Sequence, residues 1–257
     1  MAEQNNPYAA PSARVADAVL AQDEGTFVEG GRRVGAGRGW GWIKDGFGLF
    51  RESPGTWVLI IIVLFAILMA LSFVPFLNMV SSLLFPVFTG GLLLGCRALA
   101  KGDELEFGHL FAGFREPFKP LILVGLLYMA GLLVLGFIAA MVLGVGVFLG
   151  TDTIDPATGP TSVLLVMLLM FALAVPLVMA VWFAPALVVF HELGPIESMK
   201  QSFAGCLKNI PAFLIYGLIG IVLMMLASIP AMLGWLVMGP VFTASIYAGY
   251  RDIFLQS

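Results

Sequence analysis

Between Glu52 and Arg97 the chain runs from residue 53 to residue 96 without an Asp, Glu, Lys, Arg or His. An ionised side chain at the bilayer centre costs about 3 kcal/mol on insertion scales, so charge-free runs of this length mark membrane-spanning helices. One crossing takes roughly 20 residues, and this run is about twice that. A break at Pro75-Phe76-Leu77-Asn78 divides it into a helical hairpin. A second run, residues 120 to 151, supplies one long helix, and a third, from Pro156 to His191, holds one from about Ser162 to Phe190. The fourth, Asn209 to Tyr250, is again double length and breaks near Ser228-Ile229-Pro230. Two, one, one and two helices make six spans.

Only 11% of the residues are charged and 60% are hydrophobic, against roughly 25% charged in soluble domains. That apolar excess requires lipid as solvent. The formal net charge of -3 says less than the placement of the charges. Arg14, Arg32, Arg33, Arg38, Lys44 and Arg51 precede the first span; Arg97, Lys101, Arg115 and Lys119 lie between the second and third. Lys200 and Lys208 lie between the fourth and fifth, and Arg251 follows the sixth. All 13 basic residues therefore fall on one side, and the opposite connections carry only Asp152 and Asp155. Short cytoplasmic loops retain Lys and Arg, so both termini are expected in the cytoplasm of a bacterial inner membrane. Cys96 and Cys206 then sit near a reducing compartment, where no structural disulfide is expected. The first 56 residues show no apolar segment followed by a small-residue cleavage site, so no removable signal peptide is expected.

Residues 1–38 are rich in Ala, Gly, Asn, Pro and charge, without an apolar stripe, and read as a disordered cytoplasmic tail. Residues 39–257 form the membrane domain. Within it the chain repeats. Pro86-Val87-Phe88-Thr89-Gly90-Gly91 runs on to Gly95-Cys96-Arg97, and Pro240-Val241-Phe242-Thr243-Ala244-Ser245 runs on to Gly249-Tyr250-Arg251. A second correspondence precedes each pair of spans: Phe47 to Glu52, Phe111 to Glu116 and Phe203 to Lys208. The expected fold is thus all-α, with six transmembrane helices as three parallel-repeat hairpins, at about 39–100, 101–190 and 191–257. Each hairpin is preceded by a short amphipathic interfacial helix. Two spans per copy return the chain to the same side, which makes the copies parallel about an axis along the membrane normal. The lead-ins carry apolar residues at helical spacing: Trp40, Ile43, Phe47 and Phe50; Phe107, Leu110, Phe111 and Phe114; Ile196, Met199, Phe203 and Cys206. Each is expected to lie in the headgroup region as an anchor for its hairpin, the alternative being a lateral gate or a lipid-headgroup site.

No ionisable residue falls in the six expected spans, which removes the usual machinery of proton relays and intramembrane catalysis. Hydroxyls such as Thr89, Thr243, Tyr216 and Ser245 more often bond their own backbone or a neighbouring helix than a ligand. His109 and His191 lie at the cytoplasmic boundary near Glu104, Glu106 and Glu192, with no second ligand at metal-binding spacing. No catalytic, cofactor-binding or metal-binding residues are assigned, no cofactor is expected, and no nucleic-acid stripe is visible. The glycine-rich basic stretch from Gly30 to Arg38 reads as a linker drawn to anionic lipid.

Asn6-Pro7-Tyr8-Ala9-Ala10-Pro11, the segment Gly39-Trp40 to Phe50, the segment Gly194 to Lys208, and Tyr247-Ala248-Gly249-Tyr250-Arg251-Asp252-Ile253-Phe254 together resemble a family of uncharacterised six-span proteobacterial inner-membrane proteins. More loosely, the chain resembles the membrane domain of some glycerophosphodiester phosphodiesterases, but it has no room for their catalytic domain. The resemblance implies location and topology, not an activity. The expected function is a non-enzymatic scaffold or accessory protein of the envelope, with membrane lipid around it and a cytoplasmic protein partner reached through the tail near Tyr8. The alternative is a passive permease or lipid-handling protein with a groove between the three hairpins.

Overall fold

Proline sets where the long apolar runs begin and where they bend. A computed structural model describes residues 25–73, 77–115, 117–148, 159–230 and 233–256. Their helices are α1 (Arg38–Glu52), α2 (Pro54–Ser72), α3 (Leu77–Ala100), a 3-10 helix (Phe107–Phe114), α4 (Phe118–Phe148), α5 (Gly159–Trp182), α6 (Ala184–His191), α7 (Pro195–Lys208), α8 (Ile210–Ser228) and α9 (Trp235–Phe254). Pro54, Pro120 and Pro211 stand in the first turns of α2, α4 and α8. There a missing N–H costs nothing, because first-turn amides have no acceptor within the helix. Pro86, Pro176 and Pro240 lie inside α3, α5 and α9.

Among the described residues five helices are long and apolar enough to cross a bilayer: Pro54–Ser72, Ser81–Ala100, Phe118–Met141, Met167–His191 and Ile210–Ser228. The sixth span expected from the sequence coincides with α9, which falls short of that apolarity because its last turns carry Tyr250, Arg251 and Asp252. Protein rather than lipid covers much of α9: Val241, Ala244, Ser245, Tyr250, Ile253 and Phe254 are all buried. An enclosed helix has no need of a continuous apolar surface. The span at Met167–His191 is broken at Phe183, between α5 and α6. The Phe183 N–H and the Met179 carbonyl would bond in an unbroken helix. Instead the Ser202 hydroxyl stands between them, accepting from Phe183 N at 2.9 Å and donating to Met179 O at 2.7 Å. Insertion of a side chain into the helical ladder is a recognised cause of a kink.

Packing is concentrated at one end. The starts of α2, α4 and α8 bury Trp57, Leu121 and Ala212, and the later parts of α3, α6 and α9 bury Leu93, Leu187 and Tyr250. These are the ends beside the charged connections. Farther along, Phe65, Phe73, Phe137, Phe171, Met225 and Ile229 are exposed, as suits helices facing hydrocarbon. Of the Ser81–Ala100 segment 61% is buried, against 11 to 22% for the other four candidate spans, so α3 stands inside the bundle and the others around it.

Each lead-in element has one dominant neighbour. α1 packs on α9, the 3-10 helix on α3, and α7 on α5. Glycine permits two of these contacts. A Cβ on Gly46 would come within 2.5 Å of the Val241 carbonyl oxygen, and one on Gly113 within 2.0 Å of the Val87 carbonyl oxygen. Val87 and Val241 are repeat-related residues, each following the inserted proline. The aromatic edge expected in the headgroup region divides in two. Trp40, Phe47, Phe107, Phe111, Phe114 and Ile196 are exposed, whereas Ile43, Phe50, Leu110 and Cys206 face the core. Lipid and core both favour apolar side chains, so periodicity alone does not separate the two faces.

Residues 25–37, placed in the tail by their composition, are bound. Thr26 pairs with Gln256 and Phe27 with Leu255, forming an antiparallel pair of strands β1 (Thr26–Phe27) and β2 (Leu255–Gln256). Val28 N donates to Phe254 O and Arg32 N to Ile253 O, both at 2.8 Å. Lys208 Nζ donates to Gly31 O at 2.8 Å, and Gly30 N donates to the Gln201 side-chain oxygen. Asn209, 1% exposed, accepts from Val34 N at 2.7 Å and donates to Arg32 O at 2.8 Å and Gly205 O at 2.9 Å. This strap is held by polar groups of α7 and α9 rather than by an apolar stripe of its own, which is why composition misses it. Residues 1–24 lie outside the described part, as do Asp152, Asp155 and the expected break at 75–76.

Candidate functional site

Two concave regions flank the packed end, and they differ in chemistry. The first is polar. Asp252, near the end of α9, receives hydrogen bonds on one carboxylate oxygen from Arg38 Nε and, at 2.8 Å, from Trp42 Nε1. The other side of the Arg38 guanidinium reaches Asp45 at 2.9 Å. Arg32 Nε donates to the Asp252 carbonyl at 2.7 Å. The hydrogen bond to Asp252 raises the Arg38 pKa above its already high ordinary value, with burial opposing and Asp45 adding to the effect. Arg38 is 42% exposed, so the pair adds little net stability; its role is to fix α1 on α9. Beside it opens a cavity of about 410 Å³ whose lining includes Arg32, Asp45, Glu52 and Arg251, with Leu49 and Ala248 among its apolar wall. The Arg251 guanidinium lies 5.9 Å from the centre of the Tyr247 ring.

The second region is an apolar groove of about 580 Å³ between α5, α8 and α9. Aromatic rings in contact line part of it: Trp182 with Phe213 at 5.9 Å between centroids, Trp182 with Tyr216 at 6.0 Å, and Tyr216 with Phe242 at 6.3 Å. Val178, Gly217, Gly220 and Met224 extend it along the spans. The Tyr216 hydroxyl bonds Ser245 Oγ at 2.7 Å, and Ser245 in turn donates to Phe242 O at 2.7 Å. With that hydroxyl engaged, the groove presents hydrocarbon and aromatic faces.

The residues singled out in the sequence are distributed among structural tasks. His109 caps the 3-10 helix reciprocally with Glu106, its Nδ1 accepting from Glu106 N at 3.0 Å. His191 bonds the Tyr250 hydroxyl at 2.6 Å through Nε2 and packs its ring 4.1 Å from that of Phe27. Thr243 returns its hydroxyl to Gly239 O at 3.0 Å, one turn back in its own helix. Cys96 and Cys206 are both free thiols and buried; burial pushes Cys206 up to about 12, leaving it a weakly acidic thiol with its sulfur near Met179 O. Among the described residues no three His, Cys, Asp or Glu side chains gather at metal-binding distance.

Sequence reasoning did not single out Arg38, Trp42, Ser202, Asn209 or Asp252. One signal was present: the segment Tyr247 to Phe254, one of those that carry the resemblance, contains Arg251 and Asp252.

The chain is 29% identical over 250 residues to a Burkholderia thailandensis protein named as a probable inner membrane protein, covering 86% of this chain and 92% of that one. No family model matches the chain, and no solved structure matches it significantly. The relative agrees with the resemblance to uncharacterised inner-membrane proteins, and its name and the five apolar helices together support a multi-pass location in the inner membrane.

Proposed function

We propose that this inner-membrane protein is a non-enzymatic scaffold or accessory protein of the cell envelope, built as six spans in three parallel two-helix units with both termini in the cytoplasm. The observation that supports this reading is the cyclic docking of the lead-ins. The lead-in of the first unit rests on the second span of the third, that of the second on the first, and that of the third on the second. Such a ring follows a pseudo-threefold axis along the membrane normal. The strap at residues 25–37 joins the third unit to the start of the first. The result is a stiff platform on the side that carries the basic residues, with the segment around Tyr8 beyond it to recruit a cytoplasmic protein.

A photo-crosslinking residue at position 8 and another at Lys44 should capture the same protein in intact cells. Cysteines introduced at Asp152 and Lys200 should label from opposite sides of the membrane. Same-side labelling would overturn the topology. Solute or lipid movement by the purified protein in liposomes, lost on substitution at the repeat-related Thr89 or Thr243, would overturn the scaffold role.

The apolar groove favours a second reading, lipid handling. A solute permease needs a polar path, and this groove offers hydrocarbon, so the alternative narrows to lipid. A photoactivatable fatty-acyl phospholipid should form adducts concentrated on residues 171–182 and 210–224, and Gly217→Trp should suppress them. Adducts spread evenly over every apolar helix, with no effect of Gly217→Trp, would remove this reading.

A further inference from the structure

We propose that the polar cavity between α1, α9 and the end of α3 binds the headgroup of a phospholipid that carries both a phosphate and a primary ammonium, the ethanolamine class. Position comes first. Among the lining residues, Glu52 ends α1 directly before the first apolar helix, Ala100 ends α3, and Arg251 lies in the last turn of α9. These are the points where apolar helix gives way to charge, so the cavity lies at headgroup depth.

Charge then selects the ligand. Arg38 is engaged by Asp252 and Asp45. The Arg32 guanidinium spends its Nε on a carbonyl and retains the donors of its two terminal nitrogens. Arg251, Arg32 and Glu52 thus present both signs to one cavity. A purely anionic headgroup would meet the Glu52 carboxylate, and a purely cationic one would meet two guanidiniums. A zwitterion satisfies both, its phosphate on Arg251 and Arg32 and its ammonium on Glu52 and Asp45. A primary ammonium donates hydrogen bonds to carboxylates. A quaternary one is instead recognised by open aromatic faces, and the Arg251 guanidinium lies over the face of Tyr247. A cavity of about 410 Å³ falls at the small end of ligand sites, enough for a headgroup and glycerol while the acyl chains remain in the bilayer. Leu49 and Ala248 supply the apolar side.

The test uses the full chain in nanodiscs containing equal amounts of phosphatidylethanolamine, phosphatidylcholine and phosphatidylglycerol with matched acyl chains, with retained lipid read by native mass spectrometry. Charged hydrogen bonds of this kind predict retention of phosphatidylethanolamine about tenfold over phosphatidylcholine. Glu52→Gln should erase that preference, and Arg251→Gln should lower retention of both lipids roughly tenfold by the same reasoning. Lys200→Gln, on an exposed side chain paired with Glu197, should change neither. Dose-dependent stabilisation of the unaltered protein by phosphatidylethanolamine over phosphatidylcholine, read by thermal melting, gives the same answer without a variant. Equal retention of the two lipids would overturn the proposal. So would phosphatidylglycerol outcompeting phosphatidylethanolamine, or soluble phosphoethanolamine binding as tightly as the lipid. The leaflet concerned rests on the proposed orientation; the headgroup preference does not, and it stands or falls apart from the scaffold reading.

Discussion

Gly113→Ala is expected to unfold the packed end of the bundle, at a cost of about 4 kcal/mol or more, the range reserved for severe steric insertion. The added Cβ would lie 2.0 Å from the Val87 carbonyl oxygen and 2.9 Å from its carbonyl carbon. Both are backbone atoms of α3, so no rotamer change gives relief; the 3-10 helix must lift away, exposing Leu110 and Leu105. Gly46→Ala should act in the same direction on α1, since its Cβ would meet the Val241 oxygen at 2.5 Å and Ser245 N at 2.8 Å. Gly48 is the control. It is exposed in α1, and a Cβ added there would meet nothing within 4 Å, so Gly48→Ala should stabilise by about 0.5–1 kcal/mol through helix propensity. Unfolding in mixed detergent micelles, followed by tryptophan fluorescence, separates these outcomes. Wild-type stability in Gly113→Ala would mean that the two backbones do not approach as described.

Asn209→Leu should release the strap. The amide serves Val34 N, Arg32 O and Gly205 O from a position only 1% exposed, and each buried group left unmet costs about 1–3 kcal/mol. Because the strap can swing out to water, the expected loss is about 3 kcal/mol rather than the full sum. The local readout is sharper than the global one. Arg32 and Arg33 lie within the strap, so trypsin should cut there rapidly in Asn209→Leu and slowly in the unaltered protein. Equal cleavage in both would show that Asn209 does not hold this segment.

Much of the helical framework was legible in the sequence because one-dimensional signals report it. Absence of charge over 53–96 and 120–151 marks helices that must avoid water, and proline at 54, 120 and 211 marks their starts. The lead-ins were legible from their aromatic spacing, but their docking was not. Contact there depends on small residues, Gly46, Gly113 and Ser202, which a search for apolar stripes passes over. The polar site was hidden for a different reason: Arg38 and Asp252 meet from opposite ends of the chain, and no local spacing foretells that. The strap was misread because its stability comes from acceptors and donors on α7 and α9, outside the stretch being judged. The helix α9 differs from most of the other expected spans in being largely enclosed by protein, and its last turn carries Arg251 and Asp252.

The pairing of α1 with α9 also sets a clock on biogenesis. The first lead-in leaves the ribosome roughly 200 residues before the helix that receives it, and at about 5–20 residues per second that is a wait of roughly 10–40 s. Before α9 is made, α8 can already meet Trp42 through Phe213 and Tyr216, at 5.3 and 6.0 Å between ring centroids, but the larger surface that receives α1 belongs to α9. The exposed edge formed by Trp40 and Phe47 is apolar surface of the kind that lets an amphipathic helix lie on lipid. Docking of α1 on α9 thereby waits for residues 235–256, and a segment made late decides whether one made early finds its place.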